Sequence, residues 1–524
     1  MNMYTWQKEC IKKINGKDAI ISAPTGAGKT KVAYTYMDVK NAIKGKHKVF
    51  YTVPIKALAN EKYDELKELY GEKNVGIRTG DVVKNEKAPI LVCTQEVYTR
   101  HYVKKNLDAK IIVDEFHYIF TDKNRARAYI DAFHYANKKH KFLILSATLG
   151  RPSVVKNYLD RISNRNFELY ETNFRPTKLN FTDKEYSLET LQANTLVYAF
   201  SVKVLEYLAQ YASLYFSPLP IFKRRRIKRI ADNYKVDLSK FPYISRGIVV
   251  YHSKLTYTEK KFIEFLIRQN LIKVVFATNA LGVGVNLPIE NVVFSMFHIP
   301  QGLRQYRKMT KIEFLQLAGR AGRAGYFDTG YVSILKHPYF DFVEDNETRR
   351  KIYQELLEKE MEFPEISLCL DVEKIAKYLV SIEEEINYVC KYSLPERNYE
   401  EVKLEAFNIC KELENVGEYR KYFIDFYLPE LSIEENATVI KYLLSNVKTK
   451  SISIDKCKTE TYKYIEVDAL SIPISRPDAI TTLLLKRRVA KALLNRVVNN
   501  MEVDVKNINK LDEMIKRLDP LLLI

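Results

Sequence analysis

Short runs of apolar, often β-branched residues recur along the first two thirds of the chain. They stand at Ala19–Ser22, Val49–Val53, Ile90–Cys93, Ile111–Val113 and Phe142–Leu145, then at Thr195–Phe200, Gly247–Tyr251, Lys273–Ala277, Asn291–Phe294 and Tyr331–Leu335. Between most of them the apolar positions shift to helical spacing, as in Ala57–Tyr70 and Thr258–Gln269. Runs that are apolar throughout, rather than alternating, predict strands covered on both faces, hence parallel sheets with helices on either side. The runs divide into two sets of five about a polar stretch, Glu171–Lys184. Beyond about residue 345 the pattern changes. Ile375, Tyr378, Leu379 and Ile382, and later Val439, Ile440, Leu443, Leu444 and Val447, recur at helical spacing, and glycine all but disappears. The expected fold is α/β: two tandem parallel-sheet lobes, 1–172 and 173–345, and a mainly α-helical C-terminal region, 346–524. That region is expected to open on a small winged-helix-like unit and to close on a helix from about Asp478 to Val498.

Composition narrows the class. With 524 residues the chain is too long for one core. At 46% hydrophobic and 28% charged it is globular rather than disordered. A net charge of +19, from 84 basic against 65 acidic residues, points to a polyanionic partner, although a lysine-rich solvated surface gives the same balance. The six cysteines are scattered, with no CxxC pair, which argues against a zinc ribbon, an iron–sulfur cluster or a disulfide framework. The amino-terminal residues lack the basic-then-apolar layout of a signal peptide, and no apolar run approaches the ~20 residues that span a bilayer. A soluble cytoplasmic protein with no membrane partner is expected; protein partners cannot be read from the residues.

Two stretches carry the chemistry. Ala23-Pro24-Thr25-Gly26-Ala27-Gly28-Lys29-Thr30 follows the first apolar run and precedes a helix-compatible segment. Its glycines let backbone N–H groups turn toward phosphates, Lys29 reaches the β- and γ-phosphates, and the Thr30 hydroxyl is placed to hold a metal. Asp114-Glu115-Phe116-His117 follows the run Ile111–Val113. Asp114 is the expected Mg²⁺ ligand and Glu115 the group that orients and deprotonates water. ATP and Mg²⁺ are therefore the expected cofactors. Cys93, at the end of a strand, reads as a buried side chain rather than a reactive one.

The order of segments resembles the superfamily 2 helicases of the DExH-box type, built on RecA-like lobes. Ala23–Thr30 matches motif I, Asp114–His117 motif II, Ser146-Ala147-Thr148 motif III, and Gln316-Leu317-Ala318-Gly319-Arg320-Ala321-Gly322-Arg323 motif VI. Ala277–Pro288, Arg175–Leu179 and Gly247–Leu255 are similar to segments of the superkiller-type branch, which includes the archaeal repair helicases. The last segment reads Tyr251-His252-Ser253-Lys254 where that branch usually carries paired histidines and Ala-Gly. The resemblance implies that Gln7 reads adenine and that Gly284 lets backbone approach the ligand. It also implies that Gln316, Arg320 and Arg323 reach the phosphates when the lobes close, which couples hydrolysis to domain motion.

On the nucleic-acid side, Pro54–Ala59, Thr79-Gly80 and Thr94-Gln95-Glu96 are similar to first-lobe segments that touch the strand. Thr79, Gly80, Thr94, Ser201 and Thr278 are the candidate backbone contacts; for any one hydroxyl, a helix cap or turn is an equal reading. The basic run Lys223-Arg224-Arg225-Arg226 with Lys228-Arg229 suits nucleic acid or a solvated face alike. Phe297–Thr310 stands where the branch carries a strand-splitting hairpin, with Gln301-Gly302 as the expected turn. Lys486, Arg487, Lys491 and Arg496 on the last helix are candidates to line the exiting strand. The implied activity is ATP-driven, 3′–5′ translocation and unwinding on a single-stranded or tailed duplex nucleic acid, DNA slightly ahead of RNA. A defence-system motor, an RNA helicase and an ATP-gated clamp that does not unwind remain alternatives. None of the eight histidines precedes an aspartate, so no His-Asp nuclease is read here.

Overall fold

The structure, a computed structural model, describes residues 3–80, 82–121, 123–147, 149–282, 287–302, 305–323, 325–337, 344–376, 380–415, 433, 448–453, 461–467 and 470–473. The readings made above for Thr148, Gly284, Tyr378, Leu379, Val439–Val447 and the helix at Asp478–Val498, with Lys486, Arg487, Lys491 and Arg496, lie outside these residues.

The strands, in chain order, are β1 (Ala19–Ser22), β2 (Lys48–Val53), β3 (Val75–Arg78), β4 (Val83–Lys84), β5 (Ile90–Thr94), β6 (Ala109–Val113), β7 (His140–Ser146) and β8 (Glu168–Glu171), which form one eight-stranded sheet. Its order is β4-β3-β5-β2-β6-β7-β1-β8, and the pairs from β5 to β8 are parallel. β9 (Lys178–Phe181), β10 (Thr195–Tyr198), β11 (Ile248–Tyr251), β12 (Val274–Ala277), β13 (Asn291–Phe294) and β16 (Thr329–Ile334) form a second, fully parallel sheet in the order β11-β12-β10-β13-β16-β9. All ten apolar runs are strands. The central ones are buried at every position, as sheets covered on both faces require. The switch from one sheet to the other falls between β8 and β9, across Thr172–Thr177.

Within the second lobe, β14 (His298–Gly302) and β15 (Gln305–Lys308) form an antiparallel hairpin with a register shift between Pro300 and Gly302. Gln301 and Gly302, expected as the turn, belong to the first strand. The hairpin is braced at its base. Arg307 donates two hydrogen bonds to Glu313 at 2.7 and 2.5 Å, and His298 Nδ1 lies 2.7 Å from Glu344 Oε2.

The chain forms two compact units: residues 1–77, 84–118 and 131–364 make the first, which holds both sheets' cores, and residues 78–83, 119–130 and 365–524 the second. In the second unit the helices Val372–Ala376, Ile382–Tyr392 and Tyr399–Asn415 carry the expected helical character. Arg127 binds Glu385 there through two bonds of 2.6 and 2.7 Å, with its guanidinium 4.3 Å from the Tyr388 ring. The C-terminal region is not wholly helical. β17 (Lys448–Ser453), β18 (Thr461–Val467) and β19 (Leu470–Pro473) pair as a three-stranded antiparallel sheet. Thr461–Val467 is rich in β-branched and aromatic residues, the types that strands favour. Among the described residues, no helix is long and apolar enough to cross a membrane.

Candidate functional site

In a parallel sheet, ligands gather at the carboxyl ends of the strands. Three adjacent strands end together here: Ala23 N donates to Ser146 O, joining the ends of β1 and β7, and Phe116 N donates to Leu145 O, bringing in the segment after β6. After β1 the chain turns through Gly26 (φ 85°) and Gly28 (φ 94°) into the helix Lys29–Met37. Gly28 has no room for a side chain. A Cβ there would stand 2.7 Å from Gln7 Nε2, which donates to the Gly28 carbonyl at 2.9 Å. Gln7 is buried, its other end accepting from Tyr4 N at 2.8 Å, so its amide is fixed against the loop. Gly28→Ala is expected to weaken nucleotide binding roughly tenfold, because a left-handed φ alone costs an L-residue about 1–2 kcal/mol. Titration with a fluorescent nucleotide checks it.

Lys29 folds back on the loop, donating to Ala23 O at 2.6 Å and Pro24 O at 3.0 Å. Burial pulls its ammonium down to about 8 against the opposing pull of Glu115 and Asp114, and Arg323 and Arg320 add to the lowering. Asp114 accepts from Tyr51 Oη at 2.7 Å and from the Glu115 N–H at 2.9 Å. Burial, and the neighbouring Glu115 after it, pushes its carboxyl upward. Glu115 itself has φ 51°, an uncommon conformation for a residue with a side chain and one that clusters at functional sites. Its Oε2 lies 3.3 Å from His117 Nδ1, and burial, with Lys29 next, lowers His117 to about 3, so that ring is neutral.

The opposite wall comes from the second lobe. The helix Lys311–Ala318 starts on a capping box of Thr310 and Glu313 and ends at Gly319. A Cβ on Gly319 would meet Thr25 Cβ at 3.0 Å, and one on Gly26 would stand 3.9 Å from Arg323 Nη1. The phosphate loop and the Gln316–Arg323 segment are thus in contact. Arg323 is half-buried and its guanidinium is lowered to about 9, first by desolvation, then by Arg320 and Arg175, with Tyr198 and Glu115 opposing. Gln316 Nε2 is buried without a hydrogen-bond partner among the described residues.

The chain matches the DEAD/DEAH box helicase family over residues 4–156 and the helicase conserved C-terminal domain over residues 221–325. The mRNA transport homolog 4 of Caenorhabditis elegans is 30% identical over 406 residues, which cover 63% of this chain and 39% of that protein. The ATP-dependent RNA helicase mtr4 of Schizosaccharomyces pombe is 28% identical over 411 residues, 62% of this chain and 36% of that protein. The antiviral helicase SKI2 of Saccharomyces cerevisiae is 27% identical over 457 residues, 64% and 35% respectively. The two domains and these relatives support a superfamily 2 helicase similar to the superkiller-type branch. It spans well under half the length of these curated relatives.

The residues of motifs I, II and VI fit a magnesium nucleoside triphosphate. Arg320 and Arg175 add like-charge lowering to Arg323, as Arg323 and Arg320 do to Lys29, a crowding that a bound polyanion would relieve. Asp114 and the first-turn residue Thr30 supply hard oxygen donors suited to magnesium.

The strand candidates fall into two groups. Thr94 is the last residue of β5, Thr278 follows β12, and Ser201 follows β10 at the N-cap of the helix Val202–Tyr215, all at carboxyl ends of strands. Neither Thr94 nor Ser201 caps its helix through its side chain, and Thr94 Oγ1 is buried without a hydrogen-bond partner among the described residues. Thr79 and Gly80 lie in the second compact unit, where Thr79 Oγ1 accepts from Val82 N at 3.2 Å and so closes a turn. In the basic run, Lys223 is half-buried and Arg224, Arg225, Arg226, Lys228 and Arg229 lie on the exposed face of the helix Ile221–Tyr234. Cys93 is fully buried.

Sequence reasoning gave Arg175 no role. It donates to Gly319 O at 3.1 Å and to Ala321 O, closing the carbonyl end of the motif VI helix, while Thr177 Oγ1 donates to Gly322 O. An arginine beside a proline in the segment between the lobes was the available signal.

Proposed function

We propose that this chain is an ATP-driven RNA helicase motor that moves 3′ to 5′ along a single strand. Residues 1–172 and 173–345 act as the two lobes and 346–524 as the C-terminal region. In this reading Ala23–Thr30 cradles the phosphates and Gln7 faces the adenine side. Thr30 and Asp114 hold magnesium, which when bound neutralises charge on the phosphates. Glu115 takes the proton of the attacking water, and Gln316, Arg320 and Arg323 close on the developing charge. Gly284 belongs to the same set by its place in motif V.

The observation that carries the proposal is the meeting of the two walls: Arg323 of one lobe stands against Gly26 of the other, within the electrostatic reach of Glu115 and Lys29. Hydrolysis that needs groups from both lobes depends on lobe closure, and closure is what a strand bound across both lobes promotes. Thr94, Ser201 and Thr278 are the proposed strand contacts, joined by Thr79 and Gly80. The hairpin His298–Lys308 is the proposed wedge between strands.

The sequence leaned slightly to DNA. The printed names of two relatives speak of RNA and mRNA, and none of the residues above favours DNA, so RNA is the polymer proposed. Scattered cysteines, all free among the described residues, suit a reducing compartment, and the cytoplasm is the proposed location.

The test is ATP turnover with single-stranded RNA, with single-stranded DNA and with neither, beside displacement of a 3′-tailed RNA duplex. Stimulation by RNA together with displacement is expected. Turnover without displacement would favour a clamp, and stimulation by DNA alone would overturn the choice of polymer.

A further inference from the structure

The helix Lys56–Tyr70 buries Leu58, Ala59, Lys62, Tyr63 and Leu66, so a lysine occupies a position on its apolar stripe. Its side chain is 9% exposed. A methionine would fill the same space without taking an ammonium out of water, so the charge calls for a reason. Lys62 Nζ lies 5.3 Å from the Tyr51 ring and 5.6 Å from the Tyr34 ring, and it donates to Glu65 Oε2 at 2.7 Å and Tyr34 Oη at 3.3 Å. Tyr34 Oη donates in turn to Glu65, and the Tyr34 and Tyr51 rings meet edge-on at 6.5 Å. Tyr51 donates to Asp114 Oδ2 at 2.7 Å.

Each member sits on a different piece of the site. Tyr34 is on the helix that starts at Lys29, Tyr51 is on β2, which runs straight into Pro54–Ala59, and Lys62 is on the helix those residues begin. Asp114 is the motif II carboxylate. One buried ammonium therefore ties the phosphate-loop helix, the acidic pair and the segment placed by resemblance on the nucleic-acid strand.

We propose that Tyr51 and Lys62 are positioning residues that couple strand binding at Pro54–Ala59 to nucleotide binding at Lys29 and Asp114. The inference rests on the motor reading given above. When a strand draws on the first turn of the helix, Lys62 moves with it. The two aromatic rings and the Tyr51–Asp114 hydrogen bond carry that displacement to both halves of the nucleotide site. Coupling of this kind is reciprocal, and allosteric pairs of sites differ by about 5–150-fold in affinity.

The test is a linkage cycle on the full chain: the affinity for a fluorescent, non-hydrolysable ATP analogue, with and without single-stranded RNA. In the parent, RNA is expected to tighten the analogue at least about fivefold. In Lys62→Met and in Tyr51→Phe the ratio is expected to fall below about twofold, while Lys62→Arg, which keeps a cation over the rings, restores part of it. A merely structural lysine predicts otherwise: Met and Arg would shift both affinities together and leave the ratio intact. That result, in folded Lys62→Met or in the milder Tyr51→Phe, overturns the inference. A parent that hydrolyses ATP with RNA stimulation yet shows no linkage in binding also overturns it and leaves the motor reading standing. A parent with no ATP turnover removes the motor reading itself.

Discussion

Changing Glu115 to glutamine is expected to leave ATP binding within about threefold of the parent and to cut turnover by ~10²–10⁴, the range that a positioned general base contributes. The substitution keeps the volume of the side chain and removes only the basic oxygen. The backbone at this position, at φ 51°, is held by contacts that do not involve the side chain: the Glu115 N–H donates to Asp114 Oδ1 at 2.9 Å, and its carbonyl accepts from Tyr118 N at 3.2 Å. His117, 3.3 Å away and kept neutral by burial, offers no cation whose partner would be lost. Asp114 remains in place on Tyr51, so the metal donors are intact. The variant is thus expected to hold ATP and strand in the closed form. Phosphate release read beside equilibrium binding of a fluorescent ATP analogue checks both halves, and near-parental phosphate release would remove Glu115 from the water-activating role.

How much of this was legible before any coordinates follows from where each signal lies. Ten strands, all but Ile248–Tyr251 interior to their sheets, were readable because strands covered on both faces must be apolar at nearly every position. Edge strands escape that rule. Lys178–Phe181 alternates exposed and half-buried positions and Glu168–Glu171 is nowhere fully buried, so neither stood out from the polar stretch around it. The β-branched and aromatic residues of Thr461–Val467 were there to be read, but they sit in a region whose general spacing is helical. Motifs I and II were readable because each packs its chemistry into a few consecutive residues. Arg175 and Tyr51 act on groups 144 and 63 positions away, and no local pattern announces such contacts. Lys62 left a fainter mark, as the polar member of an apolar helical stripe. For Thr79 the sequence left a strand contact and a turn equally open; its hydroxyl accepts from Val82 N in a turn, and the strand contact stays a proposal.

Loss of the Arg323 side chain is expected to reduce strand-stimulated ATP hydrolysis by roughly 10³-fold, as removal of an arginine finger does elsewhere. Burial, together with Arg320 and Arg175, drives the guanidinium down to about 9, so the apo arrangement is electrostatically uncomfortable for it. Such crowding is relieved most when negative charge is greatest between the lobes, which for phosphoryl transfer is the transition state rather than bound ATP. Arg323→Ala should therefore lower kcat far more than it weakens ATP binding. Arg323→Lys should recover little, because one ammonium cannot reproduce the planar fork of donors. Arg320→Ala should show a smaller version of the same split, since Arg323 stays against Gly26. Steady-state turnover at saturating RNA, beside nucleotide affinity for each variant, separates these outcomes. Turnover of Arg323→Ala within about tenfold of the parent would mean that the second lobe supplies no finger to this site, and strand stimulation would then need another cause.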